Sequence, residues 1–205
     1  MKSERLENDF LLSSNSVFTI SRYAQLSIEI LLARNLEFFT EEVAEKLRDL
    51  AHPEMLEQIL VRCDDLFPVL VHSAIWPGNV LWSSEDNSQL LSIIDWQGCF
   101  SGSPTADLAA LLAISVGAEE RQKNEDEYLK YYIQKFDEFR EKEKIDTVLD
   151  FGTVKESYGR SLLYSMIELI VVIISNPLDD VIEEGEIYGV MTKRLKALIE
   201  DLLLD

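Results

Sequence analysis

The chain has 205 residues, of which 47% are hydrophobic and 9% are aromatic. This length and composition suit a folded domain with a sizeable core and argue against disorder over most of the chain. Acidic residues number 38 against 19 basic residues, which gives a net charge of -19. Because this charge repels phosphate backbones and anionic lipids, we expect neither nucleic-acid binding nor membrane docking, and a phosphate ligand would need a cation such as Mg2+.

The cysteines and the N-terminus indicate a cytoplasmic protein. The two cysteines, Cys63 and Cys99, belong to no motif and have no metal-ligand spacing with the histidines, so reduced thiols are expected. Residues 1–16 carry charges of both signs without a signal-peptide core and are predicted to be flexible. The longest apolar stretch, 162–174, contains Glu168 and is shorter than the roughly 20 residues that a bilayer span needs.

The first 65 residues are predicted to be helical. From Val17 onward apolar residues recur every three or four positions, which is the spacing of an amphipathic helix. Thr40 followed by Glu41 and Glu42 predicts an N-cap and an acidic first turn. Pro53 is typical of the first turn of a third helix.

Short strands are predicted in the middle of the chain. Residues 69–71 are expected to form a short buried strand, and residues 80–82 and 90–94 a hairpin around a polar turn. Two short strands make too small a sheet to be stable alone, so we expect the hairpin to pack on the helices.

Helical patterns return from Asp107 onward. Residues 119–140 predict a charged helix with an apolar side of tyrosines and other large residues. Thr153 and Glu156 have the spacing of a capping box. The helix that is predicted to begin at these residues is apolar on nearly every side, so we expect it to be the central core helix.

The residues that suit chemistry are concentrated between positions 70 and 97. Residues 70–82 read Leu-Val-His-Ser-Ala-Ile-Trp-Pro-Gly-Asn-Val-Leu-Trp, and residues 93–97 read Ile-Ile-Asp-Trp-Gln. A phosphoryl-transfer site needs a carboxylate to orient the attacking hydroxyl, and further oxygen ligands for a metal ion. Asn79 can offer an amide oxygen at the end of the loop, and Asp95 a carboxylate at the end of a predicted buried strand.

These motifs, together with Gly-Ser-Pro at 102–104 and Asp-Leu-Ala at 107–109, resemble the choline/aminoglycoside/ecdysteroid kinase-like (CHK) superfamily, in particular its nematode and insect branch. The resemblance implies an α+β, mostly α fold: a protein-kinase-like C-terminal lobe with a small β-hairpin at the active-site loop. This lobe would cover residues 17–205, with its catalytic-loop and metal motifs at 69–109. The implied reaction is ATP-dependent O-phosphorylation of a small alcohol.

The resemblance also implies roles for individual residues. Asn79 matches the family's metal-binding Asn, and Asp95 matches the Asp that binds Mg2+ and the phosphates. His72 matches a loop His with a structural role, which we interpret as a hydrogen-bonded core residue. Asp107 matches an Asp that braces the catalytic loop; an N-cap for the following helix is the alternative, and the two roles are compatible.

Two pairs of apolar residues have less specific matches. Leu81 and Ile94 would line the floor of an adenine pocket, and plain core packing is an equally good interpretation. Trp76 and Trp96 could face a cationic substrate such as an amino alcohol. Packing is the more common role for such indole rings.

The loop departs from the family's His-Gly-Asp at two positions. Ser73 replaces Gly, and Ala74 replaces the catalytic Asp. Alanine has no proton acceptor, and general-base catalysis contributes about 100- to 10,000-fold in rate. Ser73 adds a side chain where the loop is expected to need an unusual φ, at about 1 kcal/mol. We therefore expect no intact catalytic base.

The nucleotide clamp of the family is also expected to be incomplete. Family members carry a strand-rich N-lobe with a phosphate-covering loop and a Lys that pairs with the phosphates. Only 71 residues precede His72, and they contain no glycine-rich loop and no strand-borne Lys. Either a shortened gene product or a fragment of a longer one would explain this.

Three functions remain open. The first is a degenerate kinase lobe, inactive or impaired, that retains at most weak binding of Mg2+ and ATP. The second is an active small-molecule phosphotransferase that takes its N-lobe from a longer isoform or from another chain. The third is a non-enzymatic scaffold that binds a protein partner on the apolar face left open by the missing N-lobe.

Overall fold

The computed structural model of the chain describes residues 14–61, 66–86, 88–144, 146–175 and 185–204. Most of these residues are helical, and the strands are short and antiparallel, which confirms the predicted mostly α, α+β class. The helices are α1 (Ser14–Ala33), α2 (Glu41–Leu50), α3 (Pro53–Val61), α4 (Ala106–Ser115), α5 (Ala118–Glu143), α6 (Phe151–Ser175) and α7 (Gly185–Leu203). The strands are β1 (Val69–Val71), β2 (Val80–Trp82), β3 (Leu90–Ile93) and β4 (Phe100–Gly102). Cys99 is a free, half-buried thiol, and Cys63 lies outside the described residues.

The three N-terminal helices form where the apolar spacing predicts them. Helix α1 begins at Ser14, inside the segment predicted to be flexible, and residues 1–13 of that segment lie outside the described part of the chain. The Thr40 hydroxyl accepts a hydrogen bond from the Val43 N–H at 3.4 Å, as expected of an N-cap. Pro53 is the first residue of α3.

Helix α6 lies at the centre of the fold, as its apolar sequence predicts. It packs mainly on α4, α1 and α7, and its inward side chains are fully buried. The helix begins at Phe151 and not at the predicted capping box of Thr153 and Glu156. The reason is Asp150, whose carboxylate accepts hydrogen bonds from the Thr153 N–H at 2.9 Å and from its hydroxyl at 3.1 Å. These bonds lower the pKa of Asp150.

Among the described residues, α6 is also the one helix that is long and apolar enough to cross a membrane. Its most apolar 18-residue window has a mean hydropathy of 1.5, and 56% of that window is buried inside the protein. The helix is longer than the apolar stretch at 162–174, so its length does not exclude a span. Burial against other helices is typical of a core helix, and one such helix is a weak indication of a membrane protein.

The strands form two separate two-stranded sheets. The predicted hairpin is confirmed, with Val80 of β2 opposite Ile93 of β3. Strand β1 pairs with β4, with Val71 opposite Phe100, a pairing that was not predicted. The predicted burial is wrong for most of the strand residues, since Val71 is buried but Leu70 and most of β3 are exposed. The reason is that the two strands of the hairpin contact mainly each other and make few contacts with the helices.

A cluster of buried hydroxyl groups fixes the corner between β4 and α4. The side chains of Ser103 and Thr105 bond to each other at 2.9 Å and to Ser157 of α6 at 2.8 and 3.0 Å. Thr105 also bonds to Ser161 at 2.9 Å. Because each hydroxyl can donate and accept, the four groups can satisfy one another without a charged partner. The cluster therefore ties the start of α4, and with it Asp107, to the central helix.

Candidate functional site

The loop after β1 is held by the carboxylate of Asp107. Its two oxygens accept hydrogen bonds from the backbone N–H groups of His72 at 2.7 Å and Ser73 at 3.0 Å. Asp107 lies in the first turn of α4, where a negative charge is favourable. The N-cap of this helix is Thr105, so the alternative interpretation of Asp107 as an N-cap is wrong. The carboxylate instead joins the helix to the loop and fixes the position of residues 72–74.

The imidazole of His72 links this loop to the end of β3. Its Nδ1 accepts a hydrogen bond from the Ala74 N–H at 3.2 Å, and its Nε2 lies 2.9 Å from the carbonyl oxygen of Ile94. These two bonds together require the neutral tautomer with the proton on Nε2. The ring is 2% exposed and makes an edge-on contact with Trp96, with 4.4 Å between ring centroids. Since both nitrogens are already bonded, His72 has no free nitrogen with which to act as a base.

The next two positions are those where the loop departs from the pattern that the CHK resemblance implies. Ser73 has a φ of 68°, which confirms the predicted unusual φ and costs a non-glycine residue about 1 kcal/mol. Its hydroxyl donates to the Gly98 carbonyl at 2.7 Å, and a hydrogen bond of about 0.5–1.5 kcal/mol offsets that cost. A Cβ at Gly98 would lie 2.7 Å from the same hydroxyl, so a side chain there would displace it. At the following position, Ala74 offers only a methyl group.

The hairpin register brings Asn79 close to Asp95. The Ile94 N–H donates to the Asn79 carbonyl at 3.0 Å, so Asp95 is the residue directly after the hydrogen-bonded partner of Asn79. Asn79 is 7% exposed, and its amide nitrogen donates to the Ala74 carbonyl at 2.8 Å. Within the described part of the chain the amide oxygen of Asn79 has no hydrogen-bond donor.

Asp95 occupies a different environment from the one predicted. Strand β3 ends at Ile93 and is largely exposed, so Asp95 does not end a buried strand. Its backbone is left-handed, with φ 69° and ψ 52°, a conformation that Asp and Asn tolerate better than most residues. In the ranges that the structure describes, no three His, Cys, Asp or Glu residues are grouped so as to hold a metal ion. The prediction that Asn79 and Asp95 hold a metal ion therefore stays a prediction.

The predicted floor of an adenine pocket is open to solvent. Leu81 is 42% exposed and Ile94 is 41% exposed, so the alternative interpretation of core packing is wrong for both. Two cavities lie between α5 and α7 and between α2 and α7, and neither is lined by these residues. Trp76 and Trp96 are also about half exposed.

The charges of this part of the chain are all negative. Between Arg62 and Arg121 the sequence contains no lysine and no arginine. The charged residues in that interval are Asp64, Asp65, Glu85, Asp86, Asp95, Asp107, Glu119 and Glu120. A triphosphate at the loop would therefore meet no cationic side chain from this segment. This property is visible in the sequence itself.

A buried acid on α6 lies close enough to Asp107 to sense its charge. Desolvation raises the pKa of Glu168 to about 8, against the opposing effect of a hydrogen bond from Tyr164, and the charge of Asp107 adds to the rise. Burial also raises the pKa of Tyr164. The Glu168 side chain as a whole is half-buried, and its carboxyl group is the desolvated part. The sequence signal was a single charge inside the apolar stretch 162–174, for which no role was predicted.

A family model described as "Uncharacterized oxidoreductase dhs-27" (DUF1679) matches residues 17–204. The match covers nearly the whole chain, so the chain belongs to this family. Neither a search of the curated proteins nor a search of the solved structures finds a match.

Proposed function

We propose that this DUF1679 family member is a degenerate small-molecule kinase lobe of the CHK kinase-like type, located in the cytoplasm. The family reaction would be ATP-dependent O-phosphorylation of a small alcohol, and this chain does not catalyse it. The observation that carries the proposal is Ala74, which stands at the position of the catalytic carboxylate in an otherwise ordered loop. Phosphoryl transfer needs an acceptor there to orient the attacking hydroxyl.

Three described side chains of the loop and its brace, those of His72, Ser73 and Asp107, are poorly suited to replace that carboxylate. Both ring nitrogens of His72 are bonded to backbone groups. The Ser73 hydroxyl donates to the Gly98 carbonyl, and a hydroxyl is a poor base at neutral pH. Asp107 is committed to two backbone N–H groups, so a free carboxylate oxygen is not available from it without breaking the loop.

Mg2+ and ATP, which the family reaction would require, fit these residues differently. The amide oxygen of Asn79 and the carboxylate of Asp95 suit Mg2+, which would neutralise phosphate charge if it were bound there. A nucleotide fits poorly, because the segment between Arg62 and Arg121 contributes only negative charges and because Leu81 and Ile94 are exposed. We therefore propose that the chain alone binds a divalent cation weakly and does not hold ATP.

The description of the family names an oxidoreductase, which we do not extend to this chain. Dinucleotide-binding oxidoreductases of the common type use parallel strands joined by helices, with a glycine-rich turn at the first helix. Among the described residues both strand pairings are antiparallel. The family description does not name a residue or a cofactor that would favour redox chemistry at the loop.

Two alternatives each rest on a specific observation. The retention of Asn79 and Asp95 beside a lost base favours an active phosphotransferase that takes the missing half of its site from a longer isoform or a partner chain. The exposed apolar residues of the hairpin favour a protein-binding scaffold. A small-molecule alcohol would be the substrate in the first case, and a protein would be the partner in the second.

Thermal unfolding with Mg2+ alone and with Mg-ATP tests the binding proposal. We expect Mg2+ at ten times its dissociation constant to add about 1.4 kcal/mol of stability, and ATP to add nothing further. Asp95→Asn should abolish the Mg2+ effect while keeping the left-handed backbone, which Asn tolerates. Glu45→Gln, on the exposed side of α2, is the control for general charge screening, with NaCl at matched ionic strength.

Two outcomes would contradict this part of the proposal. An equal Mg2+ effect in Asp95→Asn and wild type would mean that the ion does not bind at Asp95. A further increase with ATP that disappears in Asp95→Asn would mean that nucleotide binding is retained, and would favour the active phosphotransferase.

A further inference from the structure

The largest group of exposed apolar side chains surrounds the hairpin. We call this surface the hairpin face, and its members are between 41% and 60% exposed. They are Leu70, Trp76, Leu81, Trp82, Leu90, Leu91, Ile94 and Trp96. The face contains all three tryptophans of the chain. This many large apolar side chains exposed around one hairpin are uncommon on a monomer unless something binds them.

The β2–β3 sheet is open to solvent on both of its faces. Neighbouring residues in a regular strand point to opposite faces, yet Leu81 and Trp82 of β2 are both exposed. In β3, Leu90 and Leu91 are exposed as well, at the point where the register of the hairpin shifts. In the described part of the chain neither strand pairs with a third strand, so each has an edge with unpaired backbone groups. A hairpin that is bare on both faces is marginally stable. Charged residues, prolines and bulges discourage pairing at edge strands. Strand β3, which reads Leu-Leu-Ser-Ile, carries neither a charge nor a proline, although the register of the hairpin shifts between Leu81 and Trp82.

The charge around the hairpin face limits what can cover it. Glu85 and Asp86 are exposed in the hairpin turn, and Asp95 is exposed just after β3. No lysine or arginine occurs in this part of the sequence to balance them. A second copy of the chain would bring a further charge of -19 and the same acidic rim, which disfavours self-association. A positively charged occupant would be attracted by the net negative charge of the chain and by the acidic residues around the hairpin face.

We propose that the hairpin face binds a basic and apolar segment of a partner protein, which adds to the β2–β3 sheet as an extended strand. The open strand edge supplies backbone donors and acceptors, as in other complexes formed by strand addition. Alternate side chains of the segment would cover Leu81 and Leu91, and its lysine or arginine groups would meet Glu85 and Asp86. The exposed indole rings are also favourable partners for such cations. This inference goes beyond the proposed function and does not depend on Mg2+ at Asp95.

The tryptophans provide the test, because all three report on the hairpin face. The purified chain is titrated with an eight-residue peptide of alternating lysine and valine, acetylated and amidated at its ends, and tryptophan emission is followed. Two control peptides alternate lysine with serine and glutamate with valine. We expect saturable binding of the Lys-Val peptide at least tenfold tighter than either control, weakened by added NaCl. Amide exchange of residues 90–93 should slow in the complex, as expected for a strand that gains a partner.

Matched variants separate the hairpin face from the general negative charge. Glu85→Gln with Asp86→Asn removes two charges from the turn, and the Asn keeps an oxygen for the hydrogen bonds that Asp86 accepts from Ser88. Glu45→Gln with Glu57→Gln removes two charges from exposed positions of α2 and α3. The first pair should weaken Lys-Val binding at least fivefold and the second less than twofold.

A second comparison tests the apolar part of the surface. Leu91→Ser should also weaken Lys-Val binding at least fivefold. Val148→Ser changes an equally exposed apolar residue outside the hairpin face and should have no effect. Far-UV circular dichroism of each variant confirms that the helices remain folded.

Four results would overturn the proposal. Equal binding of the Lys-Val and Lys-Ser peptides would reduce the interaction to general electrostatics, and equal effects of the two charge pairs would do the same. Binding of the Glu-Val peptide would contradict charge complementarity. A wild-type dimer in sedimentation, with tryptophan emission that does not respond to the Lys-Val peptide, would mean that a second copy covers the face.

Discussion

Replacing Asp107 by alanine is expected to lower the free energy of unfolding by about 2–4 kcal/mol, because each backbone donor left without a partner costs about 1–3 kcal/mol. The carboxylate accepts from the N–H groups of His72 at 2.7 Å and Ser73 at 3.0 Å, and the side chain of Asp107 is half-buried. Loss of the carboxylate also releases the loop that holds Ala74. Urea unfolding followed by circular dichroism measures the change.

Two controls identify the cause of this effect. Asp107→Asn keeps one acceptor oxygen and should have about half the effect of alanine. Glu119→Ala removes a charge from the first turn of α5, where the helix dipole alone contributes about 0.3–1 kcal/mol. If Asp107→Ala were no more destabilising than Glu119→Ala, the carboxylate would not brace the loop.

The second large effect is a loss of stability with rising pH that depends on Glu168. Burial raises the pKa of this carboxyl from its ordinary value of 4.5 to about 8. The folded state therefore binds a proton that the unfolded state has lost, so the contribution of Glu168 is fully present below pH 4.5 and decreases until the pH exceeds about 8. The full difference corresponds to about 3–5 kcal/mol.

Glu168→Gln isolates this contribution, since glutamine resembles the protonated acid and does not titrate. The two proteins should have similar unfolding free energies near pH 4.5, and the variant should be increasingly more stable as the pH approaches 8. Tyr164 and Asp107 both act on the pKa of Glu168, so their effects are part of the difference between the two proteins. A difference between the proteins that is independent of pH would show that the carboxyl is not desolvated.

Local patterns were sufficient to predict most of the helices. The apolar spacing from Val17 and the N-cap at Thr40 specify α1 and α2 through contacts within the same turn or the next. The continuous apolar character of 162–174 predicts the central position of α6. The start of that helix was misplaced because Asp150 caps it three residues earlier than Thr153 would have done.

Long-range features were predicted less well. Strand β4 contains Phe100, Ser101 and Gly102, which show no strand pattern and pair with β1 across about thirty residues of chain. The exposure of β3 also could not be predicted, because its sequence of apolar residues resembles that of a buried strand. Burial depends on what packs against a strand, and the strand's own residues do not contain that information.

The site was predicted in part. The left-handed φ at Ser73 was expected from the resemblance, which implies a glycine at this position. The approach of Asn79 and Asp95 follows from a hairpin whose two strands were both recognised. The role of Asp107 as an acceptor for two N–H groups could not be derived from its sequence position alone, and neither could the proximity of Glu168 to it.

The measurement that tests the central claim most directly is ATP-dependent phosphorylation by the purified chain. Mg-ATP is supplied with a panel of small alcohols that includes amino alcohols, and ADP formation is compared between wild type and Asp95→Asn. Because Ala74 leaves the attacking hydroxyl without a base, we predict no ADP formation by wild type above the level of the variant. Turnover by wild type that disappears in Asp95→Asn would contradict the proposal that this kinase-like lobe is degenerate.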